Sequence, residues 1–354
     1  MQDLTDAFIH LLFDTETCLD SSPGQNSTTT LVTFLRNFRL KRLNPIHQRL
    51  RRMESGRYVV SLVGLTNVGK STLAHALLRH PVAPSRNGPA TSIPVEYEHG
   101  PEWLIKTCEL DTCLVRTEHF ASSQLLAQTL QQRVIDISPN QAAQIERVLV
   151  RGPMDAIEGG IVFVDTPGFG AIQSEDSVEL FQNRLTAYVI NNVHEVLFCV
   201  SSANGAVKTE ECKFFQDIHQ LCTTVVVTKW DCDPGEQEEA IRVYKSKFAH
   251  LFPLCGFIFI EAKWAIDANN TGNIGKLDTS GVVALDRFLR ERATINGRRN
   301  VARQHLVDAW NDLLELVREP LHECGLKRVP WREDAIHRLR NAANRLSLVL
   351  SDLK

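Results

Sequence analysis

The sequence has no Cys-x-x-Cys pair, no long apolar run and almost no net charge. Its nine cysteines are scattered and odd in number. Neither a disulfide framework nor a thiolate metal site is therefore expected, and a reducing compartment is. The longest apolar runs, such as 196–200 and 225–227, fall far short of the ~20 apolar residues that cross a bilayer. No basic stretch precedes the first apolar residues, so a secretory leader is not expected. A formal net charge of −3 gives no global drive toward nucleic acid or an anionic membrane. These absences point to a cytoplasmic chain, with peripheral membrane contact left open.

Charge is nevertheless uneven. Residues 36–52 carry seven Lys/Arg and no acid, whereas residues 1–20 carry five acids and no Lys/Arg. Residues 298–354 hold eleven basic and eight acidic side chains. A solvated helix face explains such runs, and a lipid- or RNA-binding patch is the alternative.

Three regions differ in texture. Residues 1–56 read as a helical segment: Leu4, Phe8, Leu11 and Leu12 recur at helical spacing, the polar stretch 21–30 breaks the pattern, and a second helix over 31–52 is interrupted before Pro45. Over 57–297, short β-branched runs alternate with amphipathic stretches. The runs are 58–63, 93–97, 145–150, 161–164, 195–200, 223–228 and 257–261, and helical patterns cover 71–78, 177–190, 209–221 and 236–249. That alternation predicts an α/β domain with a mostly parallel sheet covered by helices on both faces. Residues 298–354 read as helical again. Ile336, Leu339, Ala343, Leu346, Leu350 and Leu353 form a short heptad seam, expected to pack with the N-terminal helices.

The first chemical motif is Gly64-Leu65-Thr66-Asn67-Val68-Gly69-Lys70-Ser71, which matches GxxxxGK[ST] between a strand and a helix. Its glycines let backbone N–H groups and the helix N-terminus face phosphate charge. Lys70 is expected to reach the β- and γ-phosphates, and the Ser71 hydroxyl to ligate magnesium. Gly64, Thr66, Asn67, Val68, Gly69, Lys70, Ser71 and Thr72 form the expected phosphate-binding set. The motif indicates a nucleotide without choosing the base.

The second motif, Asp165-Thr166-Pro167-Gly168, ends an apolar run. Asp165 can hold magnesium through water, and Gly168 can bring its N–H to the γ-phosphate. The third, Thr228-Lys229-Trp230-Asp231, ends another apolar strand. The Asp231 carboxylate can accept two hydrogen bonds from guanine N1–H and the exocyclic amine, which adenine cannot offer, and the Lys229 stem can cover the purine. Two further positions complete the set. Thr91, with Ser92 as its competitor, lies in a loop where a hydroxyl can ligate magnesium and sense the γ-phosphate. Ala262 and Lys263 follow the last core strand, where a backbone N–H could read guanine O6. The expected catalytic group is Lys70, Ser71, Thr91 and Gly168, and the expected magnesium ligands are Ser71, Thr91 and Asp165.

Five motifs in this order resemble the translation-factor-related GTPases and, within them, the dynamin family, over about residues 58–290. Thr228 stands where most relatives have Asn, in the manner of the dynamin TKxD. Thr91 and Pro94 look like the dynamin switch, and 209–221 is similar to the dynamin stretch after its fourth strand. The resemblance implies GTP hydrolysis to GDP and phosphate, Mg2+ as cofactor, and nucleotide-dependent dimerisation through the nucleotide face, with itself or a paralogue, to drive conformational change. Two departures matter. Asn67 replaces the usual dynamin Ser and resembles Era-like GTPases, where this Asn helps to hold K+; bracing the loop is its other reading. Phe169 follows Gly168 instead of a water-positioning Gln, which implies slow turnover until a partner completes the site. About 57 residues follow Gly297, too few for a classical dynamin stalk and membrane domain, so fission does not follow. The competing readings are an Era-like ribosome- or RNA-associated GTPase and a slow switch that recruits a protein partner. No RNA-binding module follows the GTPase region, so nucleic acid is not an expected partner.

Overall fold

The computed structural model describes residues 36–37, 40, 43–80, 82–83, 93–110, 115–134, 136–168, 175–204, 207–233, 235–302, 304–305 and 307–308. They form two compact units, one spanning Gly56–Arg298 and one drawn from the chain flanks on both sides of it.

In the flanking unit, helix α1 (Asn44–Glu54) starts with Pro45 in its first turn, where a missing N–H costs nothing. Arg51 and Arg52 sit in its last turn, where positive charge complements the helix dipole. Leu43, Ile46 and Leu50 are buried at helical spacing, and Val301 and Ala302 are buried as well. The residues read as an N-terminal helix over 1–20 and the 336–353 heptad seam lie outside the described set.

The larger unit is built on nine strands: β1 (Tyr58–Gly64), β2 (Val95–His99), β3 (Trp103–Glu109), β4 (Val115–Phe120), β5 (Ile145–Gly152), β6 (Ile161–Asp165), β7 (Glu195–Ser201), β8 (Cys222–Thr228) and β9 (Gly256–Ile260). They form one mixed sheet in the order β4-β3-β5-β2-β6-β1-β7-β8-β9. The block from β6 to β9 is wholly parallel. β1 lies near its middle and is buried at all seven positions, which is why Tyr58 to Gly64 shows no alternation. Gly64 is required there, because a Cβ would stand 2.3 Å from the Cys199 carbonyl oxygen of β7.

Beyond β6 the sheet changes direction. β2 runs antiparallel to β6, β5 is parallel to β2, and β3 and β4 add antiparallel pairs. The sequence reading did not anticipate β3, β4 or the helix after them, nor the three helices over Ala262–Thr271, Ile274–Thr279 and Val282–Ala293. β4 is exposed along much of its length and its polar composition, Val-Arg-Thr-Glu-His-Phe, carries little apolar signal. Among the strands that were anticipated, the differences are at boundaries: β2 begins at Val95 instead of Ile93, and β9 ends at Ile260, leaving Glu261 to cap a helix.

The sheet is surrounded by α2 (Lys70–Leu78), α3 (Ser123–Val134), α4 (Glu175–Asn192), α5 (Thr209–Ile218), α6 (Gln237–Phe248), α7 (Ala262–Thr271), α8 (Ile274–Thr279) and α9 (Val282–Ala293). Phe198, Phe215 and Phe252 pack ring to ring at 5.0–5.7 Å, a geometry that adds to simple area burial. Two buried acids are held by partners. Glu195 accepts from Tyr58 Oη at 2.5 Å and from the Thr223 hydroxyl, with Arg292 Nε at 3.6 Å. Glu96 meets Arg57 at 3.2 Å and Arg147 at 3.5 Å, and accepts from Tyr188 Oη at 2.8 Å. Removing one partner of either cluster strands charge in a low dielectric.

Candidate functional site

The carboxyl ends of parallel strands are where open α/β sheets bind ligands, and every described sequence-predicted residue lies there. Loop 64–71 joins β1 to α2. Asn67 takes φ 64° and Gly69 φ 102°; the left-handed region is open to glycine and accessible to asparagine. Lys70 is buried, and its Nζ donates to the Gly64 and Leu65 carbonyls at 2.9 and 2.8 Å. Burial pushes the ammonium pKa down, against the pull of the Asp165 charge. Thr72 is half-buried in the first turn of α2.

Asp165 ends β6, registered with Leu62 of β1 and Val95 of β2. It is fully buried, and its Oδ2 accepts from Ser71 Oγ at 2.7 Å. Burial pushes this carboxyl up to about 6, while Lys70 and the Ser71 hydrogen bond act in the opposite direction. The other oxygen, Oδ1, is buried with no hydrogen-bond partner. An orphaned carboxylate oxygen beside a hydroxyl supplies the hard oxygen donors that magnesium requires. The residues fit that ion.

Gly168 lies against the phosphate loop: its carbonyl accepts from Thr66 Oγ1 at 3.1 Å. A Cβ on Gly168 would meet Thr66 Cα at 2.5 Å and its Oγ1 at 2.6 Å, so no larger residue fits without displacement. Thr166, which the sequence reading gave no role, anchors this turn by donating to the Leu62 carbonyl at 2.6 Å.

The third motif is bonded to the first. The Thr228 hydroxyl donates to the Val68 carbonyl and lies 3.1 Å from the Val200 carbonyl oxygen. Lys229, at φ 54°, sends its Nζ 2.7 Å to the Asn67 carbonyl. Its own carbonyl accepts from Ser202 Oγ at 2.5 Å, a support the sequence gave no signal for. Asp231 is exposed, and its carboxylate makes no ion pair or hydrogen bond among the described residues. Next along the sheet, Trp230 N–H donates to the Ile260 carbonyl at 3.1 Å. The Glu261 carboxylate caps α7 by accepting from Lys263 N–H at 3.0 Å. Ala262 is buried and Lys263 exposed. Gly281, at φ 77°, packs so closely that a Cβ would stand 2.0 Å from the Phe259 carbonyl oxygen.

Direct hydrogen bonds thus bring together the phosphate loop, Asp165, Gly168, Thr228 and Lys229, with Asp231, Ala262 and Lys263 at the ends of β8 and β9. Thr91, Ser92 and Phe169 lie outside the described residues.

The sequence profile of the dynamin family matches residues 60–230. The clamp-binding protein CrfC of Escherichia coli strain K12 is 26% identical over 145 residues, 40% of this chain and 19% of that protein. The bacterial dynamin-like protein of Nostoc punctiforme is 24% identical over 210 residues, 53% of this chain and 28% of that one. Among solved structures, a chain of an oligomerised bacterial dynamin pair, described as a mechanism for long-range sensing and tethering of membranes, is similar with a TM-score of 0.52. It is 16% identical, and the match covers 99% of this chain and 61% of that one, a likeness of fold. The chain therefore spans less than a third of these curated relatives. The family's members are GTPases that use GTP and generally Mg2+. The profile match over residues 60–230, together with a phosphate loop bonded to Asp165 and the TKWD turn, makes this chain dynamin-like over that stretch.

Proposed function

We propose that the chain binds GTP with magnesium and hydrolyses it to GDP and phosphate, and that a second copy or a paralogue completes the site across the nucleotide face. The observation that carries this reading is the Ser71–Asp165 pair, 2.7 Å apart, with the second Asp165 oxygen buried and unpartnered. Ser71, Asp165 and Thr91 hold the ion, which neutralises developing phosphate charge when bound. Lys70 exchanges two neutral carbonyl acceptors for phosphate oxygens, a charge-assisted and stronger bond. The Gly168 N–H orients the γ-phosphate. Thr66, Val68, Gly69 and Thr72 supply phosphate-loop contacts, the Lys229 stem covers the base, Asp231 reads its N1–H and amine, and an N–H at Ala262 or Lys263 reads O6.

Phe169 stands in place of a water-positioning Gln, so the isolated chain turns over slowly and dimerisation accelerates it. Asn67 helps to hold K+ as an added positive charge in the transition state, a role that its exposure at the loop tip supports. We extend the two-unit division to residues 1–56 and 298–354 as helical flanks that convert hydrolysis into movement. Among the described residues no helix is long and apolar enough to cross a membrane. The membrane contact described for the bacterial dynamin pair would here be peripheral, through the basic 36–52 segment.

Specific GTPase rate measured against protein concentration, in potassium and in sodium buffer, tests this reading. A rate that climbs with concentration supports a dimer-completed site. A flat, slow rate would instead support a switch that recruits a different protein. A rate equal in the two buffers would remove K+ from the account.

A further inference from the structure

At the end of the sheet opposite the nucleotide motifs, two thiols face each other. Cys222 opens β8, and Cys255 stands one residue before β9. The two strands are parallel neighbours with Thr224 opposite Gly256. The two Sγ atoms lie 3.9 Å apart, and Cys255 Sγ donates to the Cys222 carbonyl at 3.3 Å. Cys222 is buried and Cys255 half-buried, so one thiol is shielded and its partner reachable from solvent.

A tight turn sets this approach. Phe252 is buried beneath it and its carbonyl accepts from Cys255 N–H at 3.3 Å. Leu254 adopts φ 66°, a strained conformation for a branched residue, and is fully exposed. That register sets Cys255 one position off Cys222, so a strand spacing of about 4.8 Å with an offset of about 3.3 Å puts the Cα atoms roughly 6 Å apart, within the ~4.4–6.8 Å that a disulfide spans. No other pair of cysteine sulfurs makes contact among the described residues. Neither thiol belongs to the machinery described above.

We propose that Cys222 and Cys255 are an oxidisable dithiol that a hydroperoxide closes into an intramolecular disulfide. The Cys255 thiolate attacks one oxygen of hydrogen peroxide. The O–O bond breaks, leaving sulfenic acid on Cys255 and hydroxide, which takes up the thiol proton as water. The Cys222 sulfur then attacks the sulfenic sulfur; the S–S bond forms, the S–O bond breaks and a second water leaves. Two thiols and one peroxide thus yield one disulfide and two waters. Once ionised, the Cys255 sulfur can accept from the Cys222 thiol, which lowers the Cys255 pKa against its burial and suits Cys255 to react first. The closed loop contains the TKWD turn and α6, so the modification tethers the strand that carries the base-recognition motif.

The test uses the reduced full chain, treated with stoichiometric hydrogen peroxide, alkylated, digested and mapped by mass spectrometry. The expected product is a Cys222–Cys255 cross-linked peptide, lost on treatment with dithiothreitol, with a Tm rise of roughly 5 °C. In Cys222→Ser, dimedone should trap sulfenic acid on Cys255; in Cys255→Ser, no cross-link to Cys222 should form. Cys255 recovered as free thiol or as sulfinic acid in the wild-type chain, or cross-linked to another cysteine, overturns the proposal. Should Cys222→Ser fail to fold, the wild-type peptide map and the half-buried Cys255→Ser variant still decide it.

Discussion

The Thr228 hydroxyl, at the end of β8, donates to the Val68 carbonyl in the phosphate loop. One side chain thereby joins the expected base-reading motif to the expected phosphate-reading one. Thr228→Val keeps the shape and removes the donor, leaving the buried Val68 carbonyl unsatisfied, at a cost of ~1–3 kcal/mol. GTP affinity measured by titration calorimetry should fall roughly tenfold, with the fold retained. Unchanged affinity would show that the brace plays no part in binding.

Gly168 has room for hydrogen alone against Thr66, where a Cβ would approach within 2.5 Å of Cα. Gly168→Ala should therefore push the turn off the phosphate loop. We expect GTP turnover to fall at least ~100-fold while circular dichroism stays at wild type. Wild-type turnover in this variant would mean that the close approach has no catalytic consequence.

Asp165 titrates near 6 because burial disfavours its charge. Its folded pKa is raised above the ordinary carboxyl value of 3.8. Its contribution to stability is therefore fully present below that value and lost as pH rises through about 6. Nucleotide-free protein should lose part of its thermal stability across that window, and Asp165→Asn should flatten that part of the profile. The same titration implies that magnesium binding weakens as pH falls below about 6. A magnesium affinity constant from pH 7 to 5 would contradict this.

Asp231→Asn presents a donor where the guanine amine also donates. GTP affinity should drop by roughly 100-fold, and xanthosine triphosphate, with an oxygen in that place, should suffer less. Equal loss for both nucleotides, measured by competition binding, would remove Asp231 from base recognition.

Much of the site could be read in the sequence because each motif sits where a buried strand ends. The apolar runs place Gly64, Asp165 and Thr228 at the carboxyl ends of β1, its neighbour β6, and β8 on the far side of β7, and the identity of those residues supplies the chemistry. The bracing contacts were less legible. Thr166, Ser202 and Glu261 are ordinary polar residues until the chain brings the Leu62 and Lys229 carbonyls and the Lys263 N–H beside them. β4 was missed because an exposed strand need not alternate; α3 was legible but not read, since its buried Leu126, Leu130 and Val134 recur every four residues. Glu195, to which the sequence reading gave no role beyond opening the 195–200 run, is buried against Tyr58, Thr223 and Arg292. That burial depends on three distant segments, and local sequence carries no sign of it.

The most direct test of the central claim is phosphate release from GTP and from ATP by the wild-type chain and by Lys70→Ala, with magnesium and then with EDTA. The account predicts magnesium-dependent release from GTP, little from ATP, and loss of the activity in Lys70→Ala. ATP turned over as fast as GTP, or a Lys70→Ala chain as active as wild type, would contradict it.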